Sequence, residues 1–287
     1  MAIGAVGLGE RLRRPGEARS LWLGETRVSF VPDGVIQGVP RAWLPDSTEE
    51  FWAAHPEYVD GSGYLVASIG GLLVESGGRA LLIDAGWGPV SLPAVPGRPN
   101  GAVRGGALLD GLRALGRGPE EIEAVAFTHL HVDHFGWAWG QGGVGPVFAR
   151  AEYLVAEPEW AGSDLSAQGV LEGVRVRTVA DGEEVFPGVR VRVTGGHTAG
   201  HAEYVISGGG RRLIAFGDAM HSPVQADHPE WSCVYDHDRV RSAEHRRRLI
   251  AELERPDTIG FGVHFADVVF GRVVRDGAGS VWRPLDA

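Results

Sequence analysis

The chain has 287 residues, 44% of them hydrophobic, and a formal net charge of -10. It is long enough to bury a core as one large domain or two fused layers, and it lacks the clustered positive charge of a nucleic-acid phosphate surface. It contains no lysine and a single cysteine, Cys233, which excludes a Schiff-base lysine, a Walker-type phosphate lysine and an internal disulfide framework.

At the N-terminus a short apolar run, residues 2–8, precedes the arginines, the reverse of a secretory signal. No segment has the apolar length needed to cross a bilayer. With the lone cysteine, this reads as a cytoplasmic protein with neither a membrane nor a nucleic acid as partner.

In chain order, residues 31–60 carry Trp43, Trp52, Tyr58 and several prolines with little periodicity. They read either as a lid over a site or as a wrapping segment that covers sheet edges, within an N-terminal extension (1–60) of a single domain spanning 1–287. Residues 71–84 predict a hairpin, with strands at 72–75 and 80–83 around the Ser-Gly-Gly turn at 76–78. Residues 107–115 have helical apolar spacing and stop at Gly116, and Pro119-Glu120-Glu121 opens a turn before a buried strand at 124–128.

Further strands are expected at 153–155, 189–193, 203–207, 212–216 and 258–263, with a closing edge strand at 271–276. A helix is expected at 240–253, its Arg246-Arg247-Arg248 run forming a solvated face. Two roughly matched halves of this kind suggest two sheets packed face to face with helices outside.

Chemistry concentrates at strand ends. Residues 128–134 read Thr-His-Leu-His-Val-Asp-His, placing His129, His131, Asp133 and His134 within six residues. If the chain after Thr128 stays extended, His129, His131 and Asp133 share one side, and a turn at Gly136 swings His134 elsewhere. His197 follows an alternating strand in Thr-Gly-Gly-His-Thr-Ala-Gly-His, Asp218 ends Phe-Gly-Asp, and His264 follows a late apolar run.

These seven side chains supply enough imidazole and carboxylate for two adjacent divalent ions, a hydrolytic arrangement in which bound water ionises near neutral pH. Asp218 has two oxygens with which to bridge them. His201 is expected to support a ligand from behind or cap a turn. Asp84, in Asp-Ala-Gly, suits either support of a ligand histidine or a strand-ending turn.

The His-x-His-x-Asp-His run, followed by Gly-His-Thr-Ala-Gly-His, Phe-Gly-Asp and the late His264, resembles the metallo-β-lactamase-fold hydrolase superfamily over about residues 71–276. Trp137, the Met220-His221-Ser222-Pro223-Val224-Gln225 stretch and His228-Pro229-Glu230-Trp231-Ser232 are similar to the branch of quorum-quenching lactonases and methyl parathion hydrolase-like enzymes. The resemblance implies an α+β fold, an αββα sandwich of two mixed sheets with helices outside. It also implies a dinuclear site, most often zinc, with iron or manganese as alternatives.

By that resemblance His129, His131 and His197 hold one ion, Asp133, His134 and His264 the other, and Asp218 bridges. A hydroxide between the ions then attacks a carboxylic ester, lactone or phosphotriester, with Asp133 and Asp218 as the catalytic carboxylates and Asp133 carrying a proton to the leaving group. Members with β-lactamase activity have Cys or Ser where this chain has Asp218. A single-iron dioxygenase resembling persulfide dioxygenases, or a thioesterase, is the alternative within the fold.

Trp137, Trp139, His221, Trp231 and Phe265 are the candidates for a pocket wall, favouring a small neutral or apolar-tailed substrate. A homodimer is compatible with the sequence.

Overall fold

The computed structural model describes residues 7–138, 146–163, 174–277 and 279–285. Its strands fall in two sequential sets. The first set is β1 (Arg19–Leu23), β2 (Thr26–Gly38), β3 (Leu65–Ser76), β4 (Arg79–Ile83), β5 (Val90–Leu92), β6 (Asn100–Gly105), β7 (Ala124–Ala126), β8 (Glu152–Ala156) and β9 (Arg175–Val179). Among the described residues these form one sheet in the order β5-β6-β2-β3-β4-β7-β8-β9, with β1 on β2.

The second set is β10 (Glu184–Phe186), β11 (Val189–Val193), β12 (Ala202–Gly208), β13 (Arg211–Ala215), β14 (Thr258–Phe261), β15 (Phe270–Asp276) and β16 (Gly279–Pro284), paired in that order. Both sheets are mixed: β4-β7, β7-β8, β8-β9 and β13-β14 run parallel. The helices are α1 (Leu8–Arg11), α2 (Pro40–Trp43), α3 (Glu49–Ala54), α4 (Leu108–Ala114), α5 (Val132–Phe135), α6 (Glu157–Gly162) and α7 (Arg239–Leu253).

The period-two alternation of a strand assigns every second side chain to each face. Leu72, Val74, Leu81, Ile83, Ala124, Ala126 and Leu154 turn inward and meet Val191, Tyr204, Leu213, Ala215, Ile259 and Phe261 of the second sheet. Their neighbours Leu73, Leu82, Val125, Tyr153 and Val155 turn outward against Leu108 and Leu112 of α4. On the far side, Ile214, Phe216, Val273 and Trp282 pack against Leu249, Ile250 and Leu253 of α7. Strands covered on both faces read as continuous apolar runs, which is why β3 and β4 look so uniform in sequence. The result is the expected αββα sandwich.

Most elements follow the expected positions. The β3-β4 hairpin pairs Leu72 with Ile83, and Gly116 closes α4 with φ +82, its N–H donating to the Arg113 carbonyl. Two details differ. The strand at 270–276 is not the edge, because β16 pairs outside it. Residues 31–38, from the segment that shows little periodicity in sequence, belong to β2, the strand that joins β1, β3 and β6; its register shift between Pro32 and Gly34 scrambles the alternation. No helix among the described residues is long and apolar enough to cross a membrane.

Candidate metal centre

The chain leaves β7, β11, β13 and β14 at the same end of the sandwich, and each exit loop delivers metal-type side chains. The extended backbone after β7 continues through His131 (φ -78, ψ 151) and then winds into α5. The expected extended run through Asp133 therefore stops two residues short, and the helical turn carries Asp133 away from His129 and His131 to the side of His134.

Two groups result. His129, His131, His197 and Asp218 each offer a ligand atom within 4.8 Å of the others, and so do Asp133, His134 and His264. Asp218 stands between them. Its Oδ2 lies 3.2 Å from His197 Nε2 and 3.6 Å from His129 Nε2. Its Oδ1 lies 3.1 Å from His264 Nε2 and 3.2 Å from His134 Nε2. One carboxylate thus faces both groups, one oxygen to each.

The outer ring nitrogens fix the tautomers. His134 Nδ1–H donates to Asp84 Oδ2 at 2.9 Å, His197 Nδ1–H to Asp236 Oδ1 at 3.0 Å, and His264 Nδ1–H to the Ser68 carbonyl at 2.8 Å. Thr128 Oγ1 spends its own proton on Asp84 Oδ2, so at 3.1 Å it accepts from His129 Nδ1–H. All four therefore turn Nε2 inward, as metal-binding imidazoles do.

His129 Nε2, His134 Nε2 and Asp218 Oδ1 are buried without a hydrogen-bond partner. Unmet polar atoms at such depth are costly, and a divalent ion in each group would satisfy them. The donor set, five imidazoles and two carboxylates, suits zinc or a similar borderline ion.

Electrostatics gather around Asp218. Burial opposes its charge, but His264, His134, His221 and His129 outweigh that and hold it well below the carboxylate range. Burial likewise opposes charge on His197, yet Asp218 and Asp236 push it up to about 9. His131 is pulled down to about 4 by burial and then by the neighbouring His197. These opposed shifts follow from the burial of imidazoles and carboxylates against one another at one place.

The supporting residues are equally buried. Asp84 ends β4 in a left-handed conformation, φ +59, and accepts the Thr128 N–H and hydroxyl as well as His134, so turn chemistry and ligand support coincide in one residue. His201 does not face either group with a free lone pair: its Nε2 accepts the Asp218 N–H at 3.1 Å, and its Nδ1–H donates to Thr194 Oγ1 at 2.8 Å. Gly196 adopts φ +99 beside His197, and a Cβ on Gly200 would meet the Glu159 backbone at 1.9 Å.

Several supports are not evident in the sequence. Glu159 accepts Leu130 N–H through Oε1 and Thr198 Oγ1–H and Gly200 N–H through Oε2, lashing the His129 and His197 loops together. Arg246 is fully buried and donates to Asp236 Oδ2 at 3.1 Å, to Ser232 Oγ and to the carbonyls of Pro229 and Ala219. This corrects the expectation of a solvated arginine run, which holds only for the exposed Arg247 and Arg248. The signal was present: Arg246 lies on the stripe of Ala243, Leu249, Ile250 and Leu253 that α7 buries.

A cavity of about 220 Å³ opens onto the centre, lined by Ile36, Trp43, Trp87, Asn100, Val132 and Tyr235 together with His131, Asp133, Asp218, His221 and His264. His221, one of the expected wall residues, is buried with Nε2 3.2 Å from Asp218 Oδ2, and both its nitrogens lack a hydrogen-bond partner.

The other expected wall residues are not among the lining. Trp137 donates its indole N–H to Asp33 at 2.7 Å and packs on the α4 side of the first sheet. Trp231 stacks on His228 and packs with Trp52. Phe265 is buried between Phe216 and Trp282. Trp139 lies outside the described residues. Apolar residues near a ligand motif are as readily core as pocket, and their spacing does not distinguish the two.

Comparison with known proteins agrees with this fold. N-acyl homoserine lactonase of Bacillus cereus is 28% identical over 95 residues, 33% of this chain and 37% of that protein, so the chain matches little more than a third of the length of this curated relative. The solved structure of AidC, a dizinc quorum-quenching lactonase in complex with a product, superposes with a TM-score of 0.81 at 21% identity, over 95% of this chain and 98% of that one. The hydrolase AbOPH of the beta lactamase superfamily gives 0.77 at 24% identity, over 96% and 99%. Residues 71–262 match the family model of the metallo-beta-lactamase superfamily, and the chain belongs to that superfamily.

Proposed function

We propose that the chain is a metal-dependent hydrolase of lactones and related carboxylic esters, working with two divalent ions of the zinc type. His129, His131 and His197 would hold one ion, Asp133, His134 and His264 the other, and Asp218, which faces both groups, would be shared between them. The observation that carries the reading is Asp218 itself, a buried carboxylate whose two oxygens face separate imidazole groups with unmet Nε2 atoms. When bound, such ions acidify water to near neutrality and polarise the carbonyl under attack.

The chain's own residues supply the rest. His201 accepts the Asp218 backbone N–H and so anchors the main chain from which the shared carboxylate projects. Asp133 is the less buried of the two metal-facing carboxylates and lines the cavity, so it is placed to take up a proton and deliver it to a departing alkoxide. Trp43, Trp87 and Ile36 exclude water from the bond under attack. The relatives support the substrate class: one is an N-acyl homoserine lactonase and another a quorum-quenching lactonase solved with a product, N-hexanoyl-homoserine.

The test is metal analysis of the purified chain beside a panel of N-acyl homoserine lactones, aryl esters, thioesters and phosphotriesters. About two zinc-type ions per chain with lactone opening is the expected result. One iron per chain with oxygen consumption would replace this reading by a single-iron oxygenase.

A further inference from the structure

Asn100 stands on the cavity wall at the start of β6, where pairing with Gly38 of β2 fixes its backbone. Its carboxamide is oriented by chemistry. The Trp43 indole N–H can only donate, so the Asn100 atom 2.8 Å from it is the oxygen. The Tyr235 hydroxyl donates to the same oxygen at 3.0 Å.

Both acceptor positions of that oxygen are used, while the amide nitrogen, with two N–H donors, has no protein partner among the described residues. An acceptor sufficient only to tether Trp43 and Tyr235 would be met by an aspartate. What distinguishes asparagine is the pair of unused donors.

The surroundings describe the complement. Asn100 belongs to neither metal-facing group although it lines the same cavity, so its donors are available to a part of the substrate other than the bond under attack. Val132, Val234 and Tyr235 are exposed apolar residues, of which Val132 and Tyr235 line the mouth of the same cavity. We propose that Asn100 is a specificity-determining residue, whose amide N–H binds an uncharged carbonyl of the substrate lying between the scissile ring and an apolar tail. This rests on the hydrolase reading above and narrows it. The favoured substrates are acylamino lactones, and lactones with a bare alkyl tail are discriminated against.

The experiment compares N-hexanoyl-homoserine lactone with α-hexyl-γ-butyrolactone, which carries a tail on the same ring carbon but no amide carbonyl. Asn100→Asp keeps the acceptor for Trp43 and Tyr235 and replaces the donor by an oxygen. For the acylamino lactone KM should rise roughly 10- to 100-fold with kcat nearly kept, as expected when a substrate acceptor loses its only donor. The alkyl lactone should change several-fold less. Tyr235→Phe, which loosens the carboxamide without removing it, should shift KM in the same direction by a smaller factor. Equal losses on both lactones, or none on either, would overturn the assignment while leaving the hydrolase intact.

Calorimetric binding of the ring-opened N-hexanoyl-homoserine to zinc-loaded protein separates the two levels. Binding by the wild type that Asn100→Asp weakens supports the Asn100 role even if no lactone is turned over, in which case only the hydrolase reading fails. No binding by the wild type overturns the Asn100 role.

Discussion

The two halves of the centre share Asp218 but are held from behind by different means. In the first, His197 leans on Asp236, which is itself paired with the fully buried Arg246 on α7. In the second, His134 leans on Asp84 within its own sheet, and His264 leans on nothing charged, only the Ser68 carbonyl. A carboxylate behind an imidazole raises its basicity and fixes its ring, whereas a carbonyl mainly fixes the ring. The first half therefore depends on a helix remote in sequence, and the second on the strand ends of the first sheet and the loop that carries His264.

The largest expected effect comes from removing what the halves have in common. Asp218→Ala takes the facing oxygen from both groups, and metal content by plasma mass spectrometry should fall toward zero with hydrolysis lost. His264→Ala should cost one ion of the two and also abolish turnover. Retention of both ions in either variant would end the shared-carboxylate description.

Next come the supports, which should break the halves separately. Arg246→Met leaves Asp236 as an uncompensated buried charge, a change that typically costs about 3–5 kcal/mol, visible as a lower denaturant midpoint at unchanged slope. Asp236→Asn should weaken the ion of the first half by about 10- to 100-fold, and Asp84→Asn, which touches His134 directly but His129 only through Thr128, should weaken the second by a similar factor and the first by less. Asparagine tolerates the left-handed backbone at position 84, so the second variant tests the hydrogen bond to His134 rather than the turn. Competition titrations with a chelator should show one weakened step in Asp236→Asn and one step weakened much more than the other in Asp84→Asn. Loss of both steps together in Asp84→Asn would mean that the halves are not separable.

The same contrast governs what the sequence revealed. His129, His131, Asp133, His134, His197, Asp218 and His264 stood out because imidazoles and carboxylates at the ends of apolar strands have no packing purpose, so both groups were legible before the fold was known. Asp84 and His201 were legible for a related reason, lying in the same strand-end loops. Arg246 and Asp236 were not, since their meaning comes from the docking of α7 across the second sheet, and a charge run on a helix looks solvated until its buried stripe is traced. The cavity wall was least legible of all. Trp43, Trp87, Asn100 and Tyr235 come from four separated stretches, while Trp137, Trp231 and Phe265, closer to the motifs, went to core and loop packing.

The smallest effect sharpens the description of His264. Its loop continues to Ala266, left-handed at φ +46, and to Asp267, whose buried carboxylate accepts Arg14 at 2.6 Å and Arg19 at 2.7 Å. Arg11 donates to the Asp267 carbonyl, and Ser68, whose own carbonyl receives His264, bonds Ala266 through its hydroxyl. The N-terminal arm therefore clamps the loop that has no charged support of its own. Burial works against the Asp267 charge, but Arg19 and Arg14 outweigh it and lower its pKa below the ordinary value. A depressed carboxylate contributes stability that is complete above its unfolded pKa, about 3.9, and is lost as pH falls through the folded value. Asp267→Asn should accordingly be less stable than the wild type at pH 7, and the gap between their denaturation midpoints should hold down to about pH 4 and close below it. A gap that stayed constant to pH 2 would show that the clamp acts through shape, with the carboxylate charge contributing nothing to the hold on His264.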